Sequence, residues 1–295
     1  RVVRMLPRCR CQARPLRPPH LFVISRIMEK EIAQLSALAH PQRLAIFRLL
    51  MRRYPDRLPA GEIGAVLALR PSTLSAYLSA LQGAALITQE RQGTSLRYSV
   101  ALDTSGALMS FLFHDCWRDR ADPGIQGRSG GRNGGRIRNV LFLCSGNSAR
   151  SLIAEAILRD LAGDQFEVFS AGTEARGTPY APALDLLRAK GHDTGCLWSK
   201  PVDDLRGEDA PQMDFVFSVC DRAANVDLPP WPGHPVQGHW AVPDPVTLQS
   251  TEAVAESYQS LHRRISAFAA LPDDLSRPSL QRRIDDIARL PLSLT

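Results

Sequence analysis

No apolar run in this 295-residue chain approaches the ~20 residues that a membrane-spanning helix requires. Leu21-Phe-Val-Ile24 is also too short for the apolar stretch of a secretory leader, despite the arginines before it. A disulfide framework is missing as well, because six cysteines at irregular spacing in so long a chain do not form one. Neither a zinc-ligand spacing nor an internal repeat is present. These absences leave a globular protein of the reducing cytoplasm, with no membrane partner and no resident metal expected. Acid is absent from one end: residues 1–28 hold seven arginines, no Asp or Glu, and the pair Cys9 and Cys11. This stretch is expected to be a disordered basic extension, with Met28 a candidate start just before the first helical pattern.

The length suits about two domains, and the charge divides the same way. Residues 1–136 carry 21 Lys and Arg against 9 Asp and Glu, a net +12, whereas 137–295 carry 15 against 21, a net −6. A basic front half points to an anionic partner such as DNA. Between the halves, residues 121–136 contain six glycines and three arginines, a composition that buries no core and predicts a flexible linker.

From Glu29 the pattern turns helical, with Ile32, Leu35 and Leu38 on one face, and Pro41 restarts a helix through Leu44, Phe47 and Leu50. Pro59 to Leu67 reads as a short helix and Ala68-Leu-Arg70 as a turn. Pro71 opens a second helix to Gln82 whose Leu74, Leu78 and Leu81 face inward. Two helices joined by a tight turn make a helix-turn-helix, whose second helix can enter the major groove. Residues 84–91 and 95–100 are β-prone and meet at Gln92-Gly93-Thr94, a hairpin that reads as a wing. Residues 29–120 are therefore expected to form a mostly helical winged helix-turn-helix domain.

In the second half, the run Val140-Leu-Phe-Leu143 leads into Cys144-Ser-Gly-Asn-Ser-Ala-Arg150-Ser151, followed by the helical pattern Leu152 to Leu158. Strand, turn and helix start would gather unpaired amides around one anion, and the helix dipole favours negative charge there. The same field favours a thiolate, which is the nucleophile. Arg150 adds a planar fork that fits a tetrahedral oxyanion. Gly146 permits the backbone such a loop needs, Asn147 can pin it, and Ser151 can donate to the sulfur. Ser145, Gly146, Asn147, Ser148, Ala149, Arg150 and Ser151 are thus candidate oxyanion ligands, and phosphate or arsenate is the candidate substrate.

This segment resembles the low-molecular-weight tyrosine phosphatase fold, in particular its arsenate reductase branch, over about residues 137–271. Further markers are Ser170-Ala-Gly-Thr173, Val219-Cys220-Asp221-Arg-Ala-Ala224, Trp231-Pro-Gly233, His239-Trp240 and Pro243-Asp244-Pro245. The resemblance implies a parallel-sheet α/β domain in which Cys144 attacks arsenic and Asp244 protonates the departing oxygen. It also implies that Cys220 attacks the resulting adduct, forming a disulfide as arsenite leaves. The third cysteine of thioredoxin-coupled relatives is replaced by Leu228, the loop position often cysteine in relatives is Ala149, and Cys196 lies elsewhere. An external thiol reductant is implied, either a small thiol with a glutaredoxin-like protein or thioredoxin. The alternative is a protein tyrosine phosphatase, against which Val246-Thr247 stands where tyrosines follow the Asp-Pro pair.

The first half, with Leu35-Ser-Ala-Leu-Ala-His-Pro-Gln-Arg-Leu44, resembles the ArsR family of winged-helix repressors. That resemblance implies a homodimer on a pseudo-palindromic operator, with Arg70, Ser72, Thr73, Ser75 and Tyr77 near DNA, and Arg91 and Arg97 in the wing are candidate phosphate contacts. A winged helix used only for dimerisation is the alternative. The family's inducer sites are clustered cysteines binding arsenite, and Cys116 is the single, weak candidate here. Ala253 to Leu271 is expected to close the second domain with a helix, and residues 272–295 to form a helical tail.

Overall fold

The computed structural model describes residues 19–117, 136–207 and 209–291, with side chains from residue 28. Residues 1–18, including Cys9 and Cys11, and most of the predicted linker lie outside the described residues. Two cores form, one in each half.

The first half opens with α1 (Pro19–Leu38) and α2 (Pro41–Arg52). The α1 helix begins at Pro19, ten residues ahead of the expected Glu29, with proline in a first turn where its missing N–H costs nothing. Of its expected apolar face only Leu38 packs on the core. Ile32 and Leu35 are 56% and 39% exposed, while Gln34 and Ala37 are buried. A short β1 (Leu58–Pro59) leads into α3 (Ala60–Val66), and Ala68 at φ +51° makes the tight turn to α4 (Pro71–Gly83). Leu74, Leu78 and Leu81 anchor α4 in the core with Ile46, Leu49 and Leu50 of α2, as their spacing predicts. The wing is the antiparallel pair β2 (Ile87–Gln92) and β3 (Ser95–Val100), turned at Gly93 with φ +62°, and β3 also pairs with β1. Then α5 (Leu102–Phe111) runs into a π-helical turn, Leu112–Cys116, where Cys116 is exposed.

The second half is a four-stranded parallel sheet in the order β5-β4-β6-β7, formed by β4 (Arg138–Cys144), β5 (Phe166–Gly172), β6 (Phe215–Ser218) and β7 (Val236–His239). Period-two alternation sends Val140 and Phe142 to one face and Leu141 and Leu143 to the other, and each side has its own apolar cluster. The helices of this half are α6 (Arg150–Ala162), α7 (Ala181–Ala189), α8 (Asp221–Asn225), α9 (Pro245–Leu248), α10 (Thr251–Ala269) and α11 (Arg277–Ala288). Against the expectation of a separate tail after residue 271, α11 completes the main core. Ile284 is fully buried, Trp240 Nε1 donates to its carbonyl at 3.4 Å, and Gln281 donates to Gln237 O at 2.8 Å. Gly238 makes room for it: a Cβ there would stand 2.7 Å from the Ile284 side chain. Among the described residues no helix is long and apolar enough to cross a membrane.

The halves also touch. Three arginines at the end of α2 grip α8 and the residues after it: Arg48 and Arg52 meet Asp227 at 2.7 and 2.8 Å, Arg52 donates to Ala224 O at 3.0 Å, and Arg53 pairs with Asp221 at 3.1 Å.

Candidate active site

The loop from Cys144 to Ala149 sits at the carboxyl end of β4, the edge where ligands gather in open parallel sheets. Four of its carbonyls are held by the segment that follows β5. Thr173 N donates to Cys144 O at 3.1 Å, Glu174 N to Ser145 O at 2.7 Å, Arg176 N to Gly146 O at 3.0 Å and Tyr180 N to Ser148 O at 2.8 Å. Carbonyls held on that side leave the opposite side of the loop to its N–H groups, the arrangement of an anion-binding turn. Asn147 lies at φ +42°, the left-handed region that Asn tolerates. Its amide donates to Cys144 Sγ at 3.1 Å, and its side chain donates to Ser151 Oγ and Ser170 Oγ, both at 2.8 Å. Lys200 N in turn donates to Asn147 Oδ1 at 2.8 Å. Ser151 Oγ stands 3.0 Å from Cys144 Sγ. Gly172 is required at the adjoining strand end, since a Cβ there would lie 2.8 Å from Ser145 O.

Arg150 is almost fully buried and its guanidinium bridges Asp244 Oδ2 at 3.2 Å and Val242 O at 3.4 Å. Asp244 caps α9 and also accepts from Val246 N at 3.2 Å and Thr247 Oγ1 at 3.1 Å. Cys144, Ser145, Gly146, Ser148, Ala149, Arg150 and Asp244 line one small pocket, so most of the predicted anion ligands and the predicted acid share it. Cys220 caps α8, its sulfur accepting from Ala223 N at 3.4 Å. Burial pushes the Cys220 thiol up, the Arg150 charge opposes this and the Cys144 charge adds to it, which sets the two sulfurs in one electrostatic site. Leu228 packs on the sheet's second face, and Cys196 lies apart, against Arg159 at 2.7 Å.

Three neighbours of the site escape sequence reasoning. Glu155 is buried and accepts from Ser170 Oγ at 2.5 Å, pairs with Arg159 and lies 3.8 Å from Lys200 Nζ. Burial lowers the Lys200 pKa, with Glu155 opposing that shift, and its ammonium lies 4.2 Å from the centre of the Trp198 ring. The signal for Glu155 was one carboxylate within the apolar run Leu152 to Leu158; Lys200 gave none. Arg176, the third, lines the pocket mouth. Among the described residues the one group with metal-ligand geometry is Asp56, Asp221 and His239, and Arg53 sits within it at 3.1 Å from Asp221 and 3.7 Å from Asp56. It is an ion-pair knot between the halves.

Of the residues expected near DNA, Arg70, Ser72 and Ser75 are exposed and Thr73 half-buried along the start of α4, and Arg91 is exposed on the wing. Two candidates are occupied elsewhere. Tyr77 turns back onto α2, its hydroxyl donating to Gln42 at 2.5 Å and its ring 4.9 Å from that of His40. Arg97 donates to Arg57 O at 3.2 Å, which draws it to the base of the wing.

Residues 139–279 match the family model described as low molecular weight phosphotyrosine protein phosphatase, and residues 38–90 match a helix-turn-helix domain. The arsenate reductase of Bacillus subtilis (strain 168) is 34% identical over 113 residues, which span 38% of this chain and 78% of that protein. That of Halalkalibacterium halodurans is 32% identical over 126 residues, 43% of this chain and 85% of that protein. A solved structure titled "An arsenate reductase in the phosphate binding state" is 27% identical, with a TM-score of 0.40, covering 45% of this chain and 98% of its own.

Proposed function

From a chain that belongs, through residues 139–279, to the low molecular weight phosphotyrosine protein phosphatase family and carries a helix-turn-helix domain ahead of it, we infer an arsenic-responsive regulator fused to a thiol-dependent arsenate reductase. The observation that carries the enzyme half is the loop at Cys144, four of whose carbonyls are pinned to residues 173–180, lining one pocket with Arg150 and Asp244.

In the proposed reaction the Cys144 sulfur attacks arsenic. A sulfur–arsenic bond forms, and an oxygen departs with a proton supplied by Asp244. Arg150 and the loop amides stabilise the charge on the remaining oxygens. Cys220 then attacks the Cys144 sulfur: the sulfur–sulfur bond forms, the sulfur–arsenic bond breaks, and its electron pair leaves on arsenic. Arsenic(V) becomes arsenite as two thiols become a disulfide. Burial is the main cause of the raised Cys220 pKa, the Arg150 charge opposes it, and charge on Cys144 adds to it, so bonding Cys144 to arsenic takes away only that smaller contribution. An external thiol, delivered by a glutaredoxin-like protein or thioredoxin, restores both cysteines.

The regulatory half is an ArsR-type homodimer on operator DNA. Exposed Ile32 and Leu35 on α1 support the dimer, and Arg70, Ser72, Thr73, Ser75 and Arg91 support DNA contact. Cys116 is an exposed thiol open to arsenite, though one sulfur makes a weak site.

Arsenite production by wild type, Cys144→Ser and Cys220→Ser with several thiol donors tests the chemistry. Cys144→Ser is expected to be inactive and Cys220→Ser to lose most turnover. Near-normal rates for Cys220→Ser would replace the internal disulfide with direct attack by a small thiol. Efficient hydrolysis of phosphotyrosine with no arsenate turnover would move the function to the phosphatase reading. A labelled promoter fragment titrated with salt tests the other half, and no binding at low salt removes the repressor.

A further inference from the structure

We propose that Arg176 is a second cationic ligand for the oxyanion and the residue that excludes bulky esters from this pocket; the proposal rests on the oxyanion site described above. Arg176 shares the pocket lining with Cys144, Arg150 and Asp244. Its backbone is fixed there, because Arg176 N donates to Gly146 O at 3.0 Å. Its side chain then lies along the outer rim of the loop. A Cβ on Gly146 would stand 3.1 Å from Arg176 Nε and 3.2 Å from its Cγ and Cδ, so the absence of a side chain at residue 146 lets the arginine lie flat on the loop.

The charge state of its neighbours leaves this guanidinium uncommitted. Arg150, the deeper cation, is tied to Asp244 and Val242 O. The nearest acid in sequence, Glu174, is paired with Arg222. Among the described residues no side chain hydrogen-bonds or ion-pairs with Arg176, which is exposed at the mouth. An arginine with no partner, held over the rim of an amide ring, presents a planar fork to the outward oxygens of a tetrahedral anion. A free oxyanion has an outward oxygen to offer there. A phosphate monoester carries its ester group in that direction, where it meets the arginine stem.

The test uses the full chain with Arg176→Ala and Arg176→Lys. Four quantities are measured: KM and kcat for arsenate, the inhibition constant of inorganic phosphate against arsenate, phosphate binding by calorimetry, and hydrolysis of p-nitrophenyl phosphate. Losing one charge-assisted contact is expected to raise both the arsenate KM and the phosphate constant at least about fivefold. The Lys variant should recover part of that loss, kcat should change less than KM, and the preference for arsenate over the aryl ester should fall. A rise of less than about fivefold in the phosphate constant, with the thermal midpoint unchanged, overturns the assignment. The two readings fail separately. A wild type that makes no arsenite yet binds phosphate more tightly than Arg176→Ala sinks the reductase and leaves the ligand assignment standing.

Discussion

Replacing Asn147 by alanine removes a fully buried side chain that makes three hydrogen bonds at once. The losses are unequal. Ser151 Oγ keeps its contact with Cys144, and Ser170 Oγ keeps its bond to Glu155, so each loses one of two partners. Those two bonds are worth about 0.5–1.5 kcal/mol each. Lys200 N–H, by contrast, is left buried without an acceptor, which costs about 1–3 kcal/mol. Alanine also tolerates φ +42° less well than asparagine, by about 1 kcal/mol. With relaxation allowed for, Asn147→Ala is expected to destabilise the second domain by about 3–5 kcal/mol. Asn147→Gly, which escapes the backbone strain, should lie about 1 kcal/mol above it. Urea unfolding followed by the fluorescence of Trp198, Trp231 and Trp240, all in that domain, gives both values. A loss below about 1.5 kcal/mol, or glycine no better than alanine, would refute the role given to this side chain.

Ile284→Ala should cost about 2–5 kcal/mol in the same assay, as expected for a fully buried core residue, whereas an independent tail would show no change. Gly172→Ala forces a Cβ to within 2.8 Å of Ser145 O, and shifting that loop is expected to lower kcat/KM for arsenate at least about tenfold; unchanged kinetics would mean the loop yields freely. The contact between the halves should depend on pH. Burial pushes His239 down, but hydrogen bonds to Asp221 and Asp56 more than offset this and its pKa is raised, while the bond to His239 lowers that of Asp221. The His239 contribution is therefore complete below its ordinary value of about 6.5 and is lost as pH rises through the raised one; that of Asp221 disappears only in acid. Amide exchange at residues 221–225 and 52–54, corrected for intrinsic rate, should show protection at mildly acid pH that fades as pH rises through the raised His239 value, and a flat profile would exclude the linkage.

What could be read from the sequence follows the chain's own contiguity. Cys144 to Ser151 is one uninterrupted stretch, so strand, turn and helix start were visible together, as were the leucines that seat α4. Where two distant segments must meet, sequence gave no purchase. Glu155, Ser170 and Lys200 converge only because β5 pairs with β4 and the 198–200 segment crosses behind the loop. Tyr77 and Arg97 sit within the expected DNA-contacting elements, yet their side chains are claimed by Gln42 and by Arg57 O, choices set by tertiary geometry. On α1 only Leu38 of the expected apolar face packs on the core, while Ile32 and Leu35 point away from it, a difference that periodicity cannot distinguish. The amphipathic character of α11 was legible, but its docking on β7 was not, since Gly238 provides the space and carries no side chain to signal it.

That last helix bears on the order in which the molecule is made. The first core is assembled from Ala37 to Leu108 and can close while most of the chain is still unsynthesised. The second cannot: Ile284 and Ile287 belong to the same packed cluster as Phe142, so the thiol half stays unsealed until residue 287 has cleared the ribosome. During translation a finished winged helix therefore waits beside an incomplete enzyme, and chaperone protection matters most for the half that closes last.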